Sequence, residues 1–175
     1  AIVYHAILPR GGGHITADLA TQLRIPMRAA EQIKRGYVFN PDEFDMDSFS
    51  EVYDENGRRM TFPREQVGKI IEESFSELAD MIDMTVHNDA EPYLNKRSQV
   101  FLTGGGIALM RGAREALAAR INRPVKVSAA KSSKLNSPVF SASLGLADLV
   151  FDSIEHQGPQ DERLGSRLKN LFGGR

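Results

Sequence analysis

The sequence predicts an α/β domain that carries an inserted β-hairpin and a long helix. Short apolar, strand-like runs alternate with segments of helical periodicity near both ends of the chain. In the middle, Asn56-Gly57 stands between two alternating runs, which is the strongest short-range signal for a hairpin. The third observation is "VFLTGGGIALMRG", residues 100–112, where an apolar strand passes through three glycines into a helix.

Composition limits the possible functions. The 175 residues suit one domain or two small subdomains, and 41% hydrophobic with 26% charged residues is an ordinary soluble composition. A net charge of −1 gives no general case for nucleic-acid binding. The absence of cysteine excludes disulfides, a thiolate nucleophile and cysteine-based zinc sites. The chain opens directly into an apolar, strand-like run, so we expect further residues upstream.

The elements of the first half follow from periodicity and from chain breakers. Ile2, Val3 and Ile7 predict a strand over residues 2–9. The glycines after it and Pro26 divide the next part into two helices. A long helix with a wide apolar stripe follows the hairpin. The predicted helices of this half span residues 15–23, 26–35 and 63–88.

The second half predicts a strand–helix–strand–helix unit. The run at 98–103 is almost continuously apolar, which is typical of a strand buried on both faces. The elements after it are a helix at 111–121, a strand at 124–128 and a helix at 137–154 with small residues for close packing. Residues 155–162 are a polar linker.

The triple glycine does not match the common phosphate-binding motifs. Gly104 and Gly106 fit the start of G-x-G-x-x-G, but Leu109 occupies the third glycine position. Gly112 is followed by Ala113 instead of the lysine of a P-loop. A strand, glycine turn and helix still let a ligand approach the backbone closely. A tight turn without a ligand is the alternative.

Two further stretches favour a ligand. "PRGGGHITADLA" also places glycines between a strand-like run and a helix. In "AAEQIKRGY", Glu31 and Lys34 are three residues apart and share one helical face. A solvated ion pair is the alternative interpretation of these two side chains.

Together these segments resemble the second half of the bacterial FtsA family of cell-division proteins, in the actin/Hsp70 superfamily. "LPRGGGHITADLATQLRIPMRAAEQIKRGY" is similar to the family's glycine, Ile-Thr and Ala-Glu-x-Ile-Lys segment, "VFLTGGGIALMRG" to its adenosine motif, and "SPVFSASLGLADLV" to its closing helix. The resemblance covers about residues 1–154. It implies an actin-like (ribonuclease H-like) ATPase subdomain, IIA, with a lobe, IIB, inserted in it. The implied ranges are 1–36 with 98–154 for IIA, 37–97 for IIB, 155–162 for the linker and 163–175 for an amphipathic tail.

The resemblance also implies a nucleotide site. The residues it assigns are Gly104, Gly105 and Gly106 at the adenine and ribose, Glu31 and Lys34 at the ribose and base, and Gly11 and Gly12 near the phosphates. The cofactor would be ATP, with Mg²⁺ in the full-length protein. Neither Asp-x-Gly-x-x-Thr phosphate loop of such ATPases occurs in the chain. We therefore assign no catalytic or metal-ligating residue and expect weak or no ATP binding and no hydrolysis from this chain alone.

Family partners would bind elsewhere. The resemblance implies docking of the C-terminal peptide of FtsZ on the hairpin lobe and self-association in an actin-like protofilament. Candidate residues for an acidic peptide are Arg58, Arg59, Lys96 and Arg97, although an ordinary solvated surface is the alternative. In the tail, one apolar helical face is flanked by basic residues, which is typical of a membrane-surface helix. That face consists of Leu164, Leu168, Leu171 and Phe172.

The leading hypothesis is therefore an adaptor that links FtsZ filaments to the cytoplasmic membrane, peripheral on its inner face at the division site. One alternative is a fragment of an ATP-hydrolysing superfamily member of the shape-determining, pilus-assembly or chaperone type. The other is an interaction module that works without nucleotide. None of the three requires nucleic acid as a partner.

Overall fold

A computed structural model describes residues 2–39, 49–54, 56–95, 98–129 and 135–156. Within these ranges, four of the five α-helices pack around one core, and two separate two-stranded sheets flank it. The helices are α1 (Gly12–Leu23), α2 (Met27–Gly36), α3 (Arg64–Met84), α4 (Ala113–Ile121) and α5 (Ser141–His156). The strands are β1 (Phe49–Tyr53), β2 (Arg59–Pro63), β3 (Val100–Leu102) and β4 (Val125–Val127).

The predicted hairpin is confirmed. Strands β1 and β2 pair antiparallel, from Phe49 opposite Pro63 to Tyr53 opposite Arg59. At the turn, the carboxylate of Asp54 accepts the backbone N–H groups of Asn56 and Arg58 at 2.9 and 2.8 Å. Gly57 adopts a φ of 76°, a left-handed conformation that costs a glycine little.

The long helix is also confirmed, with small changes at its end. Its apolar stripe lies in the core, where Val67 and Ile71 are fully buried against α1. The α-helical hydrogen bonding ends at Met84, and the chain continues through a π-helical turn, Thr85–Asp89. The helix therefore covers the predicted span, although its last turn is wider than an α-helix.

The second half forms a β–α–β unit, with α4 between the parallel strands β3 and β4. The expectation that β3 is buried on both faces is wrong, because Phe101 is 62% exposed. Val100 and Leu102 point to the opposite face and pack against the core. Successive strand residues face opposite sides, and among the described residues only one side of this pair is covered by the core.

The predicted strand at residues 2–9 is not formed. Ile2 and Ile7 are almost fully exposed, at 88% and 84%. The described residues offer no neighbouring strand to this segment, so its backbone has no ladder to join. It is anchored instead through Tyr4, whose ring stacks on Tyr93 with centroids 5.8 Å apart.

Helix α1 begins three residues earlier than predicted, at Gly12. Gly11 precedes it in an extended conformation, and its N–H donates to Nδ1 of His14 at 3.1 Å. On the inner side of α1, Ile15 and Leu19 are fully buried. Because of this early start, the first residue of α1 is Gly12, which lies against the backbone of Gly106.

Candidate functional site

The two glycine stretches meet in the structure. A Cβ atom added to Gly12 would lie 2.7 Å from the Cα and 2.9 Å from the carbonyl carbon of Gly106. It would also lie 3.2 Å from the backbone nitrogen of Ile107. All three atoms are backbone, so they cannot move aside as a flexible side chain would. Glycine is required at position 12 by this close approach of two backbones.

Lys34, on α2, stabilises this junction through hydrogen bonds. Its side chain crosses to α1, and the residue is only 4% exposed. The ammonium nitrogen lies 3.1 Å from the carbonyl oxygen of Gly12, 2.8 Å from Oγ1 of Thr16 and 2.6 Å from Oε2 of Glu31. These three acceptors match the three donors of an ammonium group. The buried charge is therefore fully hydrogen-bonded within the protein.

Glu31 is held equally closely. Its Oε2 accepts the hydroxyl of Thr16 at 2.6 Å, and its Oε1 accepts Nε of Arg35 at 2.9 Å. Partial burial by itself raises the pKa of Glu31, but hydrogen bonds from Lys34, Thr16 and Arg35 outweigh that effect and lower the pKa to about 2. With a side chain only 30% exposed, Glu31 does not form the solvated surface pair that the spacing alone allowed.

Thus the structure brings together Gly12, Gly106, Glu31 and Lys34 from separate segments. Sequence reasoning missed Thr16, because its role comes from hydrogen bonds to Glu31 and Lys34 on another helix. The nucleotide contacts themselves remain predictions.

Two of the other predicted glycines, Gly11 and Gly104, line open space. Neither Gly11 nor Gly104 has an atom within 4 Å of the place where a Cβ would stand. Gly104 has a φ of 90°, and its N–H donates to the carbonyl of Pro138 at 3.0 Å. A Cβ on Gly105 would make ordinary contact with Val139 at 3.8 Å. Gly11 and Gly104 therefore leave room beside the Gly12–Gly106 junction.

A second polar cluster lies directly before the first glycine turn. The guanidinium of Arg10 donates to Asp18 at 2.8 Å and to the hydroxyl of Ser74 at 3.1 Å, and it forms an ion pair with Glu77 at 2.9 Å. Ser74 in turn donates to Asp18 at 2.6 Å. Sequence reasoning did not identify this cluster, which joins the residue before Gly11 to the long helix α3.

The predicted partner and membrane residues are less well defined. Arg59 pairs with Glu51 across the hairpin, while the backbone N–H of Arg58 belongs to the turn. Lys96, Arg97 and the predicted tail residues 163–175 lie outside the described residues. Within the described ranges, we find no helix with the length and hydropathy needed to cross a membrane. The same ranges contain no cluster of three or more His, Asp or Glu side chains able to hold a metal ion.

Comparison with solved structures defines the class of fold. MreB 5 of Spiroplasma citri bound to AMPPNP is similar with a TM-score of 0.60 at 18% identity, over 90% of this chain and 50% of that one. The ethanolamine utilization protein EutJ from Carboxydothermus hydrogenoformans is similar with a TM-score of 0.53 at 18% identity, over 84% of this chain and 41% of that one. The chain therefore has an actin-like α/β fold, as predicted.

Sequence comparison then identifies the family. The family model for "Cell division protein FtsA" matches residues 1–145, so the chain belongs to the FtsA family. The FtsA of Rhizobium meliloti (strain 1021) is 32% identical over 94% of this chain and 38% of its own length. That of Neisseria meningitidis serogroup B is 28% identical over 99% of this chain and 43% of its own. The chain spans less than half the length of these curated relatives.

Proposed function

We propose that this chain contributes one wall of an adenine-nucleotide cleft to an FtsA-type cell-division adaptor, which links FtsZ to the cytoplasmic membrane. Family membership makes it a cell-division protein of the FtsA type. The observation that carries the nucleotide part is the junction of Gly12 with Gly106, fastened by Lys34. Three segments far apart in sequence converge there, and open space lies beside them.

The residues present suit one side of a nucleotide. Gly11 and Gly104 leave room for a flat or charged group to approach the backbone. Glu31 keeps a partly exposed carboxylate, a suitable acceptor for ribose hydroxyls. ATP would be held by Gly11, Glu31 and Gly104–Gly106, with Mg²⁺ accompanying its phosphates. Gly12 and Lys34 would support this wall from its buried side. A single wall buries too little of a ligand for tight binding, so we expect strong affinity only when a second wall is present.

Binding of a fluorescent ATP analogue to the 175-residue chain, and to the product of the complete reading frame, tests this proposal. Gly11→Val should weaken binding at least tenfold, because its branched side chain extends into a space where a Cβ meets no atom within 4 Å. Gly145→Val is the matched control, since its Cβ also meets open space but the residue lies in α5. No binding by either form of the protein, or equal binding by both variants, would contradict a nucleotide site at this position.

The FtsZ part of the proposal concerns the hairpin lobe. Arg58 and Arg59 lie beside each other on the hairpin, and the guanidinium of Arg59 already contacts Glu51. An acidic peptide would have to compete for Arg59, so Arg58 is the more available cation. Titration with a C-terminal FtsZ peptide should lose affinity with Arg58→Glu and keep it with Lys126→Glu on β4. Equal loss in both variants would indicate a nonspecific charge effect.

The membrane part depends on the tail. Co-sedimentation with anionic liposomes should require the apolar face that includes Leu168 and Phe172. Replacing both with Asp should abolish co-sedimentation with liposomes, whereas Leu168→Met with Phe172→Leu should preserve it. Self-association is a separate question, which analytical ultracentrifugation of the protein alone over a range of concentrations tests. If the double-Asp variant sediments with liposomes as well as the original chain does, the tail is not the membrane anchor.

A second candidate is an interaction module that works without nucleotide. It is favoured by the fact that all three donors of Lys34 are used by acceptors within the chain. A lysine in this state needs no ligand to be stable, since its charge is already paired. FtsZ-peptide binding that persists in a protein with no measurable affinity for ATP would favour this candidate.

A further inference from the structure

We propose that Thr16 is the positioning residue of the candidate site, holding Lys34 against the carbonyl of Gly12 and Glu31 against Lys34. This inference rests on the proposed function, because the site it organises is the proposed nucleotide wall. Thr16 lies on α1, while Glu31 and Lys34 lie on α2. Its hydroxyl therefore joins the two helices at the point where they approach the glycine junction.

The hydroxyl of Thr16 acts as a donor and an acceptor at once. It lies 2.6 Å from Oε2 of Glu31 and 3.5 Å from the carbonyl oxygen of Gly12. A hydroxyl has one proton, and the shorter contact with a charged acceptor takes it. A lone pair of the same oxygen accepts Nζ of Lys34 at 2.8 Å. Lys34 therefore donates a hydrogen bond to Thr16, and Thr16 donates one to Glu31.

This arrangement fixes the direction of both charged side chains. Thr16 is 4% exposed and β-branched, so its hydroxyl has few rotamers available within the helix. Lys34 and Arg35 are the charged groups that contact Glu31 in the described part of the chain. Arg35 is largely exposed and contacts Oε1 of Glu31 from the solvent side. Thr16 and Lys34 contact Oε2 from the buried side and keep the carboxylate next to α1.

Removing the hydroxyl should release Glu31 toward Arg35 and leave Lys34 with two acceptors. Thr16→Val keeps the shape of the side chain and deletes the hydroxyl, whereas Thr16→Ser keeps the hydroxyl and deletes the methyl. The readout is the pH titration of Glu31, followed through its carboxyl carbon by NMR in the 175-residue chain. A hydrogen bond to a charged group corresponds to a pKa change of about one to two units.

We expect Thr16→Val to raise the pKa of Glu31 by about one to two units and Thr16→Ser to restore the original titration. A merely structural role would destabilise the protein without this selective shift, so urea unfolding is measured in parallel. Thr16→Ala replaces the valine variant if the latter does not fold. An unchanged Glu31 titration in the hydroxyl-free variant, or failure of serine to rescue it, would overturn the inference.

Nucleotide binding distinguishes this inference from the proposed function. In the complete protein, Thr16→Val should weaken binding of the fluorescent ATP analogue about tenfold, and Thr16→Ser should restore it. If the original protein binds no nucleotide, the proposed function fails, and the Glu31 titration alone decides the role of Thr16. If nucleotide binds equally to all three proteins, the proposed function stands and Thr16 has no positioning role in it.

Discussion

Substitution of Gly12 by alanine tests the glycine junction most directly. The new methyl carbon would stand 2.7 Å from the Cα of Gly106, whereas ordinary contacts of this kind begin at 3.4 Å. The backbones of α1 and of the turn before Ile107 would have to separate by roughly 0.7 Å. Because both sides are backbone, no side-chain rotation can relieve the overlap.

The cost can be placed within a range. Overpacking of this size in a close-packed interior costs about 1–3 kcal/mol. A separation of the two backbones also weakens the charged hydrogen bond from Lys34 to the carbonyl of Gly12, and partial loss of this bond would cost about 1 kcal/mol of the ~1.5–3 kcal/mol that such bonds contribute. Alanine returns at most about 1 kcal/mol through its better helix propensity. The net destabilisation should therefore be about 1–3 kcal/mol.

The neighbouring glycine supplies the control. Gly13 lies on the same helical turn, yet a Cβ there meets nothing within 4 Å. Gly13→Ala should leave stability unchanged or raise it by up to about 1 kcal/mol. Urea unfolding followed by circular dichroism measures both variants against the original chain. If Gly12→Ala proves as stable as Gly13→Ala, the close backbone approach does not exist in solution.

Three further predictions concern the polar contacts. Tyr37→Phe should lower stability by about 0.5–1.5 kcal/mol, because the buried hydroxyl donates to Glu72 at 2.6 Å, while Tyr53→Phe at an exposed position should change stability little, as urea unfolding will show. The pKa of Glu31 is lowered from 4.5 to about 2, so its stabilising contribution is present above pH 4.5 and is lost as the pH falls through 2. Thermal unfolding between pH 6 and pH 2 should therefore show a weaker acid dependence in Glu31→Gln than in the original chain, and identical profiles would contradict the assignment. Ser74→Ala should cost about 1–3 kcal/mol in urea unfolding, since it removes a buried hydroxyl that bridges an arginine and an aspartate, and a neutral result would show that water replaces it.

Local signals in the sequence were sufficient for much of the fold. The Asn56-Gly57 turn and the apolar stripe of α3 depend on neighbouring residues only, so the hairpin and the long helix could be predicted. The segment at residues 2–9 has equally strong β propensity, but a strand also needs a partner, and none is present in the described residues. The predicted burial of Phe101 is wrong for the same reason, since it depends on whether another element covers that face of the sheet.

In the candidate site, too, residues within short motifs could be predicted, whereas residues that matter through tertiary contacts could not. The glycines and the Glu31–Lys34 pair could be named from motifs, because each motif is a short run of sequence. Thr16 could not be weighted in this way, since its importance arises from two hydrogen bonds made across helices. Likewise, Arg10 and Ser74 are 64 residues apart, and no spacing rule connects them.

The contacts also change the meaning of the triple glycine. As a phosphate loop it would need free N–H groups, but the N–H of Gly104 already donates to Pro138, and Gly106 packs on Gly12. Its first requirement is thus to let two backbones touch, with Lys34 fastening the contact from a third segment. A ligand beside this junction would meet a surface that is already organised, so little ordering of these residues would be needed on binding. The same rigidity means that losing the ligand need not loosen the wall, which is why stability and nucleotide affinity must be measured separately in every variant of this site.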